Sequence, residues 1–153
     1  MDKAEKYAIG VDLGGTNIKI GIVTDKGKLI KKTSIKTEAE GGPKKVISNI
    51  IKGINEVLTK NKYKIKGIGI GCPGVVSIKK GIVENAPNLP GWKNIKLGPI
   101  INNKFDYKVH LENDANAAAI GELIFGAGKK LDSFVMVTLG TGVGGGIVFN
   151  KKI

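Results

Sequence analysis

Arginine is absent from this sequence: all 25 basic side chains are lysine, set against 13 acidic ones, for a formal net charge of +12. Proteins that read nucleic-acid phosphates or guanine edges draw on the planar fork of arginine, whereas lysine supplies only point charges. The lysines are scattered from Lys3 to Lys152 and never run longer than a pair, so no basic arm or stripe forms and dedicated nucleic-acid binding is argued against. What remains is a positive field that attracts anions such as nucleotide phosphates. Cysteine is nearly absent as well. Cys72 alone can form neither an internal disulfide nor a cysteine-based zinc site, as expected of a cytoplasmic protein. No apolar stretch reaches the roughly 18 residues of a membrane span. The opening MDKAEKYAIGVDL carries Asp2 and Glu5 ahead of a strand-like run, which is no leader pattern.

Glycine, by contrast, is in excess, at 23 of 153 residues with no collagen-like period. Its placement organises the chain. Tyr7 to Leu13 reads as a strand, and after Gly14-Gly15 the stretch Asn17 to Thr24 alternates polar and apolar as a half-buried strand does. A turn at Asp25-Lys26-Gly27 leads to a third strand over Leu29 to Lys36, giving an antiparallel meander. From Pro43 onward Val46, Ile47, Ile50, Ile51, Ile54, Val57 and Leu58 recur at helical spacing. Ile65 to Gly71 reads as a buried strand and Val75 to Glu84 as a small hairpin turning at Lys79-Lys80-Gly81. The segment NAPNLPGW, Asn85 to Trp92, holds two prolines and a glycine, which forbid a regular element and predict a rigid loop. A short helix over Leu97 to Phe105, a strand over Lys108 to Glu112, a helix from Asp114 to Phe125 and a strand over Ser133 to Leu139 follow. The glycine-rich Gly140 to Gly146 then turns into a fresh strand, Ile147 to Phe149. The pattern predicts an α/β fold with a mixed sheet.

Two segments, Gly69 to Gly74 and Gly140 to Gly145, match the spacing of a dinucleotide fingerprint, yet each is followed by a strand-like run rather than the helix whose N-terminus would bind pyrophosphate. A Walker loop fails too, because Lys130 follows Gly128-Lys129. Instead, two hairpins resemble one another: Asp12-Leu-Gly-Gly-Thr-Asn17 and Leu139-Gly-Thr-Gly-Val-Gly-Gly-Gly146. Each joins two strands through a glycine turn with a threonine hydroxyl, a backbone that can form an anion-binding concavity. Asp12, at the strand end beside the first turn, is placed to hold Mg²⁺ through water. In the third constellation, Glu112-Asn-Asp-Ala-Asn-Ala-Ala-Ala119, a strand ends and an alanine-rich helix begins. Asp114 there can be a simple helix cap, or a carboxylate that accepts a proton from an attacking hydroxyl.

Taken in order and at these spacings, DLGGTN, IGIGCPGVV, ENAPNLPGW, ENDANAAAIGE and LGTGVGGGI resemble the ROK family (repressor, open reading frame, kinase), particularly its bacterial glucokinases, over residues 7 to 149. The resemblance implies a ribonuclease H-like, actin-like ATPase lobe of the sugar kinase, heat-shock chaperone and actin superfamily. It implies a small α/β lobe over 1–114 and the beginning of a larger lobe over 115–153. Gly14, Gly15, Thr16 and Asn17 would form the first phosphate loop, and Gly140, Thr141, Gly142, Gly144 and Gly145 the second. Gly74 and Asn88 would line the sugar pocket, Asn113 would bind sugar hydroxyls, and Asp114 would be the catalytic base. The implied reaction moves the ATP γ-phosphate to the 6-hydroxyl of a hexose, glucose by family resemblance, with ATP and Mg²⁺ as cofactors. Hexose and ATP are the expected partners, a homodimer the expected assembly, and neither nucleic acid nor membrane is expected.

The family's Glu-x-x-His sugar clamp, its zinc site of three cysteines and that histidine, and its adenine-enclosing segments do not appear in this sequence. The chain is therefore expected to be an N-terminal part, with little or no kinase activity alone and no structural zinc. Sugar-responsive regulators of the same family carry a helix-turn-helix domain ahead of the kinase-like region, whereas only six residues precede the first strand here. A catalytically silent binding module is the remaining alternative. Cys72 is expected to pack beneath the sugar loop, His110 to be a strand residue and Trp92 to be loop packing.

Overall fold

The computed structural model describes residues 5–60, 62–139 and 142–153. Strands β1 (Tyr7–Leu13), β2 (Asn17–Thr24) and β3 (Leu29–Lys36) form the expected antiparallel meander. Helix α1 (Gly42–Leu58) carries Pro43 in its first turn, where no intrahelical N–H is required. Strand β4 (Ile65–Cys72) is followed by three short strands, β5 (Val75–Ser77), β6 (Ile82–Asn85) and β7 (Lys93–Ile95), which pair in the order β5-β6-β7. Helix α2 (Leu97–Phe105), strand β8 (Val109–Asn113), helix α3 (Asp114–Phe125) and the hairpin β9 (Phe134–Leu139) with β10 (Val143–Val148) complete the chain.

The main sheet has the order β3-β2-β1-β4-β8, antiparallel through the meander and parallel from β1 to β4 to β8. Strand alternation splits its residues between two faces. Ile9, Val11, Leu13, Ile18, Ile20, Ile22, Ile68, Ile70 and Leu111 are buried with Val46, Ile50, Ile54 and Val57 of α1 in one core. Helix α1 packs on β2 and β3, and α2 packs on β8. A side chain at Gly53 of α1 would run into the Ile20 side chain, so this glycine sets how near the helix lies. The opposite face carries Gly10, Asp12, Gly69, Gly71, His110 and Glu112, which line a groove of about 940 Å³ bounded by Ala117 and Ile120 of α3.

The proline-rich loop is irregular, as expected, but firmly closed. Ala86 N–H donates to Trp92 O at 3.1 Å, Leu89 N–H to Ala86 O at 2.9 Å and Trp92 N–H to Leu89 O at 3.2 Å, and all three side chains are buried. Three expectations need correction. Strand β7 was not anticipated, because Lys-Asn-Ile is too short and too polar to show a period. The last strand begins at Val143 rather than Ile147, so Gly144, Gly145 and Gly146 are strand residues paired with Thr138, Val137 and Met136. The cap of α3 is Asn113, with Asp114 as the first helical residue. No described helix is long and apolar enough to cross a membrane.

Candidate active site

Strands β1, β4 and β8 run parallel and end on one edge of the sheet, the edge where ligand sites of open α/β sheets form. Register aligns the groups there. Lys19, Asp12, Gly71 and Glu112 stand side by side across four strands, and Gly21, Gly10, Gly69 and His110 form the next row. Asp12 is exposed and, among the described residues, pairs with the exposed Lys19, at 3.6 Å. Such a pair contributes at most about 1 kcal/mol and leaves the carboxylate open to a competing cation.

The turn from β1 to β2 is held from outside. Gly14 N–H donates to Asn17 O at 3.1 Å, Thr37 Oγ1 donates to Gly14 O at 2.6 Å, and Thr37 N–H donates to Thr16 O at 2.9 Å. Thr37 is itself supported by Asn49, whose Nδ2 donates to Lys36 O at 3.1 Å, Thr37 O at 3.2 Å and Glu38 Oε2 at 2.8 Å. That hydrogen bond, followed by Lys45 at 3.1 Å, holds the Glu38 carboxyl below its ordinary value of 4.5. Gly15, Thr16 and Asn17 are left exposed, and a side chain added at Gly15 would meet nothing within 4 Å. A backbone turn that is braced on one side and open on the other suits an anion.

Asn113 joins the sheet edge to the loop after β4. Its Nδ2 donates to Gly74 O at 3.0 Å, while its Oδ1 accepts from the Ala115 and Asn116 N–H groups at 3.0 and 3.1 Å. Gly74 must be glycine: its φ is +82°, and a Cβ would run into the Asn85 carbonyl oxygen. Asp114 is exposed at the start of α3, with Oδ1 accepting from Ala115 N–H at 2.8 Å. Beneath it Cys72 is fully buried; that burial, and secondarily the Asp114 charge, push the thiol up to about 12. A thiol so placed is inert packing at neutral pH.

The structure thus brings Gly74, Asn113 and Asp114 into one hydrogen-bonded edge, with Asp12 and the Gly14–Asn17 turn two strands away. Asn88 sits exposed in the proline-rich loop, outside that bonded cluster. Gly140 and Thr141 lie outside the described residues. Gly142 is exposed, and a Cβ added at Gly144 would stand 2.6 Å from Thr138 Oγ1 of the paired strand and 3.5 Å, an ordinary contact, from the Ala115 Cβ of α3. Thr37, Asn49 and Glu112 were missed by sequence reasoning. Two of them are polar residues that become buried only through tertiary packing, and the third has the signature of an ordinary strand end.

The ROK family model matches residues 8–153. This chain belongs to the ROK family. It is 45% identical to a glucokinase of Thermotoga maritima over 140 residues, covering 92% of this chain and 44% of that protein. A xylose repressor of Bacillus subtilis is 33% identical over 156 residues, covering 100% of this chain and 40% of the repressor. Among solved structures, a ROK family glucokinase of Streptomyces griseus in complex with glucose and AMPPNP superposes with a TM-score of 0.85 at 36% identity, over 95% of this chain and 45% of that one. The fold is therefore that of ROK sugar kinases, an actin-like ATPase fold, and the chain spans less than half the length of these relatives.

Proposed function

We propose that this chain forms the small lobe, residues 1–114, and the start of the large lobe, residues 115–153, of an ATP-dependent hexose kinase acting on glucose. The observation that carries this reading is Asp114: an exposed carboxylate at a helix N-terminus, set beside Asn113 and the Gly74 loop at the carboxyl edge of a parallel sheet. The glucokinase relative at 45% identity, and the relative that holds glucose and AMPPNP, support it.

In this reading the sugar lies against Gly74, Asn88 and Asn113, and its attacking hydroxyl gives its proton to the Asp114 carboxylate. Asn113 spends its oxygen on the helix cap and one amide hydrogen on Gly74, so one further hydrogen remains for a sugar hydroxyl. The Gly14–Asn17 turn, with its open face, would take nucleotide phosphate, and Asp12, paired with an exposed lysine, would hold Mg²⁺ through water. When bound, ATP·Mg²⁺ supplies the transferable phosphoryl group and neutralises charge on it. Gly140, Thr141, Gly142, Gly144 and Gly145 would be the second phosphate loop.

The decisive experiment is Asp114→Asn in the complete kinase, with ADP release coupled to glucose addition. Loss of a general base lowers kcat by about 10² to 10⁴-fold, with the glucose KM within a few-fold. Undiminished kcat would refute the assignment. The repressor relative keeps a second reading in view, a sugar-responsive regulator; sugar binding without any ADP release by the wild-type protein would favour it.

A further inference from the structure

Asp114 stands on a turn held by an unusual clasp. In a capping box, the N-cap side chain bonds the N3 backbone N–H, and an N3 Glu or Gln reaches back to the N-cap N–H. Here the first half is present: Asn113 is the N-cap and its Oδ1 accepts from Asn116 N–H at 3.1 Å. The return half is displaced. Glu112, one residue before the cap, accepts the Asn113 N–H on Oε1 at 2.9 Å, and that oxygen also accepts Asn116 Nδ2 at 3.1 Å. A carboxylate at this helix end is further favoured by the macrodipole. One oxygen of Glu112 therefore ties the strand end, the cap and the first helical turn together.

Asp114 lies inside that clasp, between the residue whose N–H Glu112 holds and the residue whose amide Glu112 holds. The Asn113 Nδ2 bond to Gly74 O, at 3.0 Å, carries the same constraint into the loop after β4. We infer that Glu112 is a positioning residue for Asp114, fixing the carboxylate relative to the Gly74 loop through Asn113 and Asn116. The inference rests on the kinase reading for its catalytic consequence, while the clasp itself is a property of this chain.

Two readouts separate these. In this chain, Glu112→Ala frees the Asn113 N–H, and amide hydrogen exchange there speeds up about five- to ten-fold, the loss of roughly one hydrogen bond; Glu112→Gln, whose amide oxygen can take both bonds, leaves exchange near the wild-type rate. In the complete kinase, Glu112→Ala lowers kcat by about 10 to 100-fold, as misplacement of a reacting group does, with the glucose and ATP KM values within about three-fold, and Glu112→Gln restores most of kcat. Wild-type turnover that survives Glu112→Ala intact overturns the positioning role. So does a Glu112→Gln variant as slow as Glu112→Ala with a raised Mg²⁺ requirement, since Glu112 would then be touching the metal. Absence of turnover in the wild-type kinase strikes the kinase reading instead, and unchanged Asn113 exchange in Glu112→Ala strikes the clasp.

Discussion

Two hairpins of this chain carry nearly the same sequence signature and use their glycines in opposite ways. In β1–β2 the glycines at 14 and 15 lie in the turn, where Thr37 braces one side and the other is open. In β9–β10 the glycines at 144 and 146 lie within the strand and face α3, where a Cβ on Gly146 would stand 2.6 Å from the Ala119 Cβ and 3.0 Å from Ala115 O. One set leaves turn backbone open on its outer side; in the other, Gly146 lets a helix approach a sheet. Their surroundings differ as well. The first hairpin is part of a five-stranded sheet with a buried core, whereas the second is a two-stranded sheet whose outer side chains Val135, Val137, Leu139, Val143 and Ile147 are all exposed. A glycine in a strand-turn-strand pattern therefore reports close approach without saying whether the visitor is an anion or another element.

The sharpest way to break the contrast is Gly146→Leu. Overpacking against Ala119 and the α3 backbone should cost about 2 to 3 kcal/mol, read as faster amide exchange through β9 and β10 and a lower denaturation midpoint. Gly10→Ala is its control: this strand glycine has nothing within 4 Å of an added Cβ, and the change should stay within about 0.5 kcal/mol. Equal losses at both positions would show that the strand glycines are not distinguished by helix packing.

Much of this fold was legible in advance. The helical period of Val46 to Leu58 and the limits of α2 and α3 appear in the structure as read, and the proline loop is irregular over 86–92, with Asn85 taken into β6. What escaped was whatever depends on pairing rather than on pattern. Gly144 and Gly146 look like turn residues because glycine is poor in strands; the close approach of α3 explains Gly146, and that of the Thr138 hydroxyl on the paired strand explains Gly144. Asn113 and Asp114 are both preferred capping types, so local chemistry could not choose between them. The row Lys19, Asp12, Gly71 and Glu112 exists only through register across four strands. Thr37 and Asn49 are polar in sequence and buried in the fold, and their partners are 23 and 11 to 13 residues away.

Thr37→Val sharpens the first side of the comparison. It keeps the shape of a fully buried residue and removes the 2.6 Å bond to Gly14 O, leaving a carbonyl without that donor. The expected loss is about 1 to 2 kcal/mol by chemical denaturation, with Thr37→Ser retaining most of the stability. A Thr37→Val chain as stable as the wild type would mean that the turn holds its shape unaided.

Acid should loosen the same region selectively. The Glu38 carboxyl lies below its ordinary value of 4.5 because Asn49 and Lys45 bind its ionised form. Its contribution is therefore complete above the ordinary value and is lost as pH falls through the lowered one. Amide exchange at residues 14–17 and 36–38 should rise across that acid window in the wild type and be insensitive to it in Glu38→Gln. A wild-type region that passes the window unchanged would separate Glu38 from the brace.

The smallest effect is expected on the outer face of the second hairpin. Val137 is 59% exposed and Leu139 82% exposed, so Val137→Ser or Leu139→Ser removes little apolar surface from contact. In this chain each change should stay within about 0.5 kcal/mol and should reduce self-association, since contiguous apolar surface promotes it. If, as proposed, residues 115–153 open a larger lobe of a longer protein, the same side chains lie under further structure there, and deleting a buried aliphatic group in that setting costs at least about 1 kcal/mol. Measuring each substitution in both lengths thus asks whether this face is a surface or an unfinished core. Equal, negligible costs in the two contexts would leave the hairpin a true outer edge, and would remove the strongest structural reason for treating it differently from the first.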